Sequence, residues 1–230
     1  MWKVAYAPVE SALVKMNSIA PEKRIAFKAR LKNFQREGWP EGINTGTGRK
    51  AGYSFSAIVQ LTLAIELSQI GLPPKRVVKM LRQMWGLILV SVIGIILPDD
   101  ILQDDDELRA FSGSFAWVFY PEALYDLAPE DDRIVEQLMT APVRGLGKIF
   151  SPREHFAAVG SEEPVAPWRT AALHANAIVN GVMARLIEQG VEIQIDEIRA
   201  DLITEALACD AQTKLRAERI YAAIDRANVS

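Results

Sequence analysis

Basic side chains follow one edge of a predicted helix near the start of the chain. They recur at every fourth position, as Arg24, Lys28, Lys32 and Arg36. At about 100° per residue, this edge lies beside an apolar stripe formed by Phe27, Leu31 and Phe34. Lysine and arginine bind phosphate groups, and the amides of Asn33 and Gln35 on the same helix are suited to adenine edges. The pattern is typical of nucleic-acid recognition, and a merely solvated helix face is the alternative.

The ends of this helix are marked in the sequence. Pro21 fits the first helical turn, and Glu22 suits its positive N-terminal end. Gly38 stands where the helix would end, with Pro40 beyond it. We therefore predict a helix that packs through its aromatic stripe and exposes its basic edge.

A glycine-rich segment follows the helix, with the sequence GINTGTGRKAGY over residues 42–53. It is not a P-loop, which requires G-x-x-x-x-G-K-[ST], because Gly48 is followed by Arg49, Lys50 and Ala51. A dinucleotide-binding loop is also excluded, since that loop follows a buried strand and opens a helix. We predict a short hairpin or wing whose tip carries Arg49 and Lys50.

Charge is unevenly distributed along the 230 residues. The chain has 26 Lys and Arg against 29 Asp and Glu, a net charge of −3. Residues 1–85 hold 14 of the basic and 5 of the acidic residues, which leaves 12 and 24 for the remainder. A basic first part joined to an acidic second part suggests a polyanion-binding module attached to another unit.

Catalytic and metal-binding patterns are weak. Cys209 is the only cysteine and is expected to be a small core residue, and His155 and His174 are far apart in sequence. The acidic run at residues 104–107 could bind a cation but is more typical of a solvated loop. We expect no enzyme activity, no cofactor and no metal. The lone cysteine and the absence of a visible signal peptide predict a cytoplasmic protein.

The remaining elements predict a mainly α fold with a minor β component. Ser56 is a candidate N-cap for a buried helix over residues 57–71, which Gly71 ends, followed by a helix over residues 74–85. The apolar run at residues 87–97 is too short to span a membrane and, being rich in Val and Ile, predicts a strand. A second strand is predicted at residues 111–120, with helices at residues 130–139, 167–189, 195–208 and 211–227.

The order of these elements resembles the DNA-binding domain of the MerR family of transcription regulators, over residues 22–84. That family has a helix ending in R-Y-Y-E-R-x-G-L, then a wing with Arg and Tyr, then a helix opened by Ser. Here KNFQREGW at residues 32–39 matches in kind at four positions, Phe34, Arg36, Gly38 and Trp39. RKAGYS at residues 49–54 places Tyr53 and Ser54 at the family's Tyr-Ser. Asn33 and Gln35 replace a family tyrosine and glutamate.

The resemblance implies a winged helix-turn-helix in which Lys32, Arg36, Arg49, Lys50 and Tyr53 contact DNA. The basic edge adds Arg24 and Lys28 as contacts, and amide chemistry adds Asn33 and Gln35. We therefore predict a MerR-like DNA-binding domain at residues 1–85 and an α+β domain at residues 86–230.

The expected function is sequence-specific binding of double-stranded DNA by a homodimeric regulator, without membrane contact. The second domain would serve dimerisation, a protein partner or a small-molecule effector. The helix at residues 167–189 forms either the dimer interface or part of the monomer core, through Leu173, Ile178, Met183, Leu186 and Ile187. The alternatives are an excisionase-like architectural protein and a winged-helix interaction module without DNA binding.

Overall fold

The computed structural model of the chain describes residues 1–43, 52–98, 101, 114–119, 139–142 and 171–229. These residues form, in chain order, β1 (Val4–Ala5), α1 (Tyr6–Met16), a 3-10 turn (Pro21–Lys23), α2 (Arg24–Arg36), β2 (Gly52–Tyr53), α3 (Phe55–Gln69), α4 (Pro74–Ile96), β3 (Phe115–Phe119), β4 (Met139–Pro142), β5 (Ala171–His174), α5 (Ala175–Ile187), α6 (Ile195–Leu207) and α7 (Ala211–Val229). The prediction of a mainly helical fold with a minor β component is confirmed.

Helix α3 is the central helix, and most of its length is buried. Twelve of its fifteen residues are buried, because the helix is apolar on nearly every face. The side chain of Ser54 caps it by accepting a hydrogen bond from the amide of Ala57 at 3.2 Å. The predicted cap, Ser56, lies inside the helix instead, and its hydroxyl donates to Glu205 Oε1 at 2.8 Å.

Helix α4 corrects the prediction of a strand at residues 87–97. One uninterrupted helix runs from Pro74 to Ile96, and Leu97 leaves it in extended conformation because Pro98 follows. An apolar run with no clear period does not distinguish a strand from a buried helix, and packing here overrides the β preference of Val and Ile. Helix α4 contacts α3, α5, α6 and α7, and all its residues from Ile88 to Gly94 are buried.

The apolar run at residues 87–97, predicted to be too short to span a membrane, is part of this longer helix except for Leu97. Pro74–Ile96 is long and apolar enough to cross a bilayer by length and composition alone. However, 61% of its most apolar window is buried inside the fold, as is typical of the core helix of a soluble protein. Helix α4 also continues without a break through residues 85 and 86, between which the sequence analysis predicts a domain boundary.

Two small antiparallel sheets flank the helices. In the first, β1 pairs with β2, so the strand that follows the glycine-rich segment pairs with the N-terminus. In the second, β3 is the middle strand between β4 and β5. The predicted strand at residues 111–120 is confirmed over Phe115–Phe119, where every residue is buried. The indole of Trp117 fixes this sheet on α4 by donating to Ser91 Oγ at 2.8 Å.

The C-terminal helices complete the same hydrophobic core. Helix α5 contacts α1, α3 and α4, and α6 contacts α3, α4 and α7. The prediction of one helix over residues 167–189 is wrong at residues 171–174, which form β5; residues 167–170 lie outside the described part. Within α5, Leu186 is buried in the core of this chain while Ile187 is 59% exposed. The helix predicted at residues 130–139 lies outside the described residues, except for Met139 in β4.

The side chain and backbone of Trp2, next to β1, contact α6 and α3. The backbone amide of Trp2 donates to Asp201 Oδ2 at 2.8 Å, and its indole donates to the carbonyl of Glu192 at 3.0 Å. Its ring packs edge-on against Phe55, with 6.2 Å between the ring centroids. Trp2 therefore holds α6 and the loop before it against the start of α3.

Replacing Gly86 by alanine should destabilise the protein by about 2 kcal/mol, because α7 begins against this glycine. A Cβ atom at Gly86 would overlap Thr213 Oγ1 and lie 2.9 Å from Asp210 Oδ2. The matched control is Gly181→Ala in α5, where the nearest side-chain atom, Met16 Cε, is 3.5 Å away. Denaturant unfolding should show this control to be neutral or stabilised by up to about 1 kcal/mol. Equal effects of the two substitutions would contradict the packing described.

Asp210 should make stability depend on pH in the acid range. Its carboxylate accepts hydrogen bonds from the amides of Gln212 and Thr213 and from the Thr213 hydroxyl. These bonds, the Thr213 hydroxyl first, lower the pKa of Asp210 below its ordinary value of 3.8. The carboxylate thus contributes stability above that value, which is lost as pH falls through the folded pKa. Unfolding of Asp210→Asn at a series of pH values should show a shallower loss on acidification than the wild type.

Candidate nucleic-acid interface

Helix α2 lies on the surface with its apolar stripe turned inward. Phe27, Leu31 and Phe34 are each at most 4% exposed. These three residues belong to the hydrophobic core, and the helix contacts α1, α3 and α4. Burial of two aromatic rings and a leucine fixes its rotation, so the opposite face is held outward. The predicted helix and the predicted direction of its faces are confirmed.

Contacts from α4 and α3 fix the C-terminal end of α2. Arg82 on α4 donates to the carbonyls of Glu37 and Gly38 at 3.0 and 3.2 Å, and to Glu41 Oε1 at 3.1 Å. A cation at this end is favourable because the last carbonyls of a helix lack partners within it. Gly38 has a φ of 74°, which ends the helix as predicted. The Trp39 indole donates to the Gln60 carbonyl of α3 at 3.0 Å.

The outward face of α2 is basic. The helix contains five basic residues and no acidic residue. Arg24, Lys32, Asn33 and Arg36 are all exposed. Arg36 Nη1 donates to Asn33 Oδ1 at 3.3 Å, which leaves the amide nitrogen of Asn33 as its free donor. This face can bind phosphates through its cations and a base edge through Asn33.

Lys28 lies nearer to α1 than the other cations. Its ammonium is 3.1 Å from Glu10 Oε1, and the Glu10 side chain is 12% exposed. The Lys28 side chain itself is 48% exposed. Its charge is therefore partly neutralised by a neighbour, so Lys28 adds less positive potential than an unpaired lysine would.

Gln35 and Tyr53 form a pair on the inner flank of α2. Tyr53 is buried in β2, and its hydroxyl accepts a hydrogen bond from Gln35 Nε2 at 2.9 Å. Burial raises the pKa of Tyr53, and the bond from Gln35 lowers it by less. The neighbouring Tyr6 ring lies 6.0 Å away, and burial raises the pKa of Tyr6 to about 12. The bond between Gln35 and Tyr53 joins α2 to the small β1–β2 sheet. In this structure these two predicted DNA contacts therefore take part in the packing of α2.

Two predicted contacts, Arg49 and Lys50, lie outside the described residues. They lie in sequence between Ile43 and Gly52, both of which are described. Their placement relative to α2 stays a prediction.

Two residues of α2 were missed by the sequence reasoning. Arg30 is exposed on the flank of α2 away from Lys28, beside α3 and the start of α4. Ile25 is 83% exposed on the same face as Lys32 and Arg36. A search for a single basic stripe passes over Arg30 because it lies off the four-residue repeat. Counting basic and acidic residues around the whole helix would have found it.

Two described side chains that could take part in catalysis, His174 and Cys209, each make a hydrogen bond within their own helical region. Within the described part of the chain there is no group of three His, Cys, Asp or Glu that could hold a metal ion. The ring of His174 caps α5 by accepting from the amide of Ala177 at 3.1 Å. Burial, and then the nearby Glu205, Asp210 and Glu41 carboxylates, raise the pKa of the Cys209 thiol. His155 and the acidic run at residues 104–107 lie outside the described residues.

Comparison with known proteins gives no family assignment. No protein-family model, no curated protein and no solved structure matches the chain.

Proposed function

We propose that this protein is a sequence-specific DNA-binding regulator that contacts double-stranded DNA through the exposed face of α2. The observation that carries the proposal is a rigidly held helix with five basic residues, no acidic residue and a buried opposite side. Such a helix is about 20 Å long and fits the major groove. Arg24, Lys32 and Arg36 would contact phosphates, and Asn33 would contact a base edge.

The exposed Ile25 supports reading of the bases as well as the backbone. It lies among the cations of α2, where its side chain would contact a thymine methyl group in the major groove. An exposed isoleucine also favours the second candidate, an interaction module that binds another protein through α2. DNA binding separates these two candidates directly.

The finer parts of the proposal rest on the resemblance to MerR regulators. Residues 42–53 would form the wing, with Arg49 and Lys50 approaching the phosphate backbone beside α2. The protein would act as a cytoplasmic homodimer, because one small module rarely buries enough surface for tight specific binding. The acidic C-terminal part would carry the dimer interface, a partner site or an effector site.

Binding to genomic fragments and to random duplexes, measured by fluorescence anisotropy across a salt series, tests this function. A regulator should prefer a subset of genomic fragments and lose affinity steeply with salt, since each phosphate contact releases counterions. Weak binding without preference would instead support an architectural protein of the excisionase kind. Absence of binding at low salt would reject both and favour the interaction module.

A further inference from the structure

A pocket lies beside α2, on the flank away from Lys28. It is a cleft with a volume of about 350 Å³, lined by residues of α2, the end of α3 and the start of α4. Its apolar wall is formed by Phe27, Phe34, Ile65 and Leu72. This volume falls in the range of small-molecule sites, which are mostly apolar with a few placed polar groups.

Two polar side chains at this pocket, Arg30 and Asn33, offer unused hydrogen-bond donors. Arg30 makes no hydrogen bond or ion pair within the described residues. Asn33 accepts from Arg36 through its oxygen, and its amide nitrogen makes no hydrogen bond there. The hydroxyl of Ser68 is buried and has no partner in the described structure. Gln69, by contrast, donates to Asn17 Oδ1 at 2.8 Å. An acceptor in this pocket would therefore meet unused donors.

The electrostatics of the pocket favour an anion. Its described lining contains one cation, Arg30, and no carboxylate. Pro74, the first residue of α4, also lines the pocket, so the positive end of a 23-residue helix lies at its edge. A bare inorganic anion would leave the apolar wall uncovered. A ligand with a carboxylate and an apolar body would satisfy both parts.

We propose that this pocket binds a small organic carboxylate with an aromatic or branched aliphatic body. The carboxylate would pair with the Arg30 guanidinium and accept from the Asn33 amide. The apolar body would lie against Phe27, Phe34, Ile65 and Leu72. The pocket is thus a ligand site in the N-terminal part of the chain, built on the same helix as the basic face.

Binding at this pocket has a consequence that rests on the proposed DNA-binding function. The ligand would neutralise Arg30 and engage Asn33, the residue assigned to a base edge. Both changes weaken the attraction of α2 for DNA, so the ligand acts as an effector that lowers DNA affinity.

Titration of ¹⁵N-labelled full-length protein with 3-phenylpropanoate, followed by backbone amide NMR, tests the site without DNA. The expected result is saturable shifts at Arg30, Asn33, Ser68 and Leu72, with 3-phenylpropanamide binding about tenfold more weakly. Arg30→Gln should weaken carboxylate binding by a similar factor. Lys32→Gln, which changes an exposed cation of α2 that does not line the pocket, is the matched control and should bind as the wild type does.

Three outcomes would overturn the site: no shifts at millimolar ligand, equal binding of the acid and its amide, or equal losses in Arg30→Gln and Lys32→Gln. The effector role is tested separately, by adding 3-phenylpropanoate to a DNA complex of the wild type and of Arg30→Gln. Displacement of DNA from the wild type alone supports it, and unchanged DNA affinity at saturating ligand rejects it. Failure of the protein to bind DNA would reject the proposed function, whereas the NMR titration would still decide the site.

Discussion

Replacing Lys32 and Arg36 together by alanine is expected to lower the affinity for preferred DNA by about 2 kcal/mol, or roughly 30-fold. Both side chains are exposed on α2, whose apolar stripe fixes the direction in which they point. If both contact phosphates, the slope of log K against log salt should become shallower by about 1.8. Fluorescence anisotropy across a salt series measures both quantities.

The control for this variant removes the same charges from another surface. Lys214→Ala with Arg226→Ala changes two exposed cations on α7 and lowers the net charge equally. This control should keep nearly the affinity and salt slope of the wild type. Equal losses in the two double variants would mean that net charge, and not the face of α2, determines binding. Unchanged binding in the α2 variant would show that its exposed face is not the interface.

Replacing Glu205 by alanine is expected to lower the free energy of unfolding by about 3 kcal/mol. Glu205 Oε1 accepts from the Ser56 hydroxyl at 2.8 Å and from the Trp85 indole at 2.7 Å. Both donors are buried, so truncation would leave them without a protein acceptor. The carboxylate also links α6 to α3 and α4. Chemical denaturation followed by circular dichroism and tryptophan fluorescence measures the loss.

Two further variants identify the cause of that loss. Glu205→Gln keeps an acceptor oxygen and should lose less than half as much as the alanine variant. Glu218→Ala removes an exposed carboxylate from α7 and should change the unfolding free energy by less than about 0.5 kcal/mol. If the Glu205→Ala protein were as stable as the Glu218→Ala protein, the hydrogen bonds of the Glu205 carboxylate would not stabilise the fold.

Strongly periodic segments of the sequence predicted their structure well. Helix α2 follows the spacing of Phe27, Leu31 and Phe34, and ends at the glycine expected to end it. Helices α6 and α7 begin at the predicted positions. In these segments the apolar period, the caps and the glycines all indicate the same element.

The wrong predictions of secondary structure concern segments whose conformation is determined by tertiary contacts. Residues 87–96 are rich in Val and Ile but lie in a helix, because α4 packs against several other helices in the core. Serine is a good cap at either position 54 or 56, and in the structure Ser54 caps α3 while Ser56 donates to Glu205 in α6. Residues 171–174 form an edge strand because β3 offers them a partner far away in sequence.

The candidate interface was predictable in its charge but not in its details. Composition alone indicates a basic helix, and the structure adds which side chains reach solvent. The pairing of Lys28 with Glu10 and of Gln35 with Tyr53 joins elements separated in sequence, so no local pattern indicates it. The position of Arg30 at a pocket likewise depends on how α3 ends and α4 begins.

The central claim is that the exposed face of α2 binds DNA. The most direct measurement is the amide NMR spectrum of ¹⁵N-labelled full-length protein during titration with a duplex selected from genomic fragments. We expect shifts or broadening at Arg24, Lys32, Asn33 and Arg36, with the α7 amides unchanged. A spectrum unaffected at low salt, or changes confined to α5, α6 and α7, would contradict the claim.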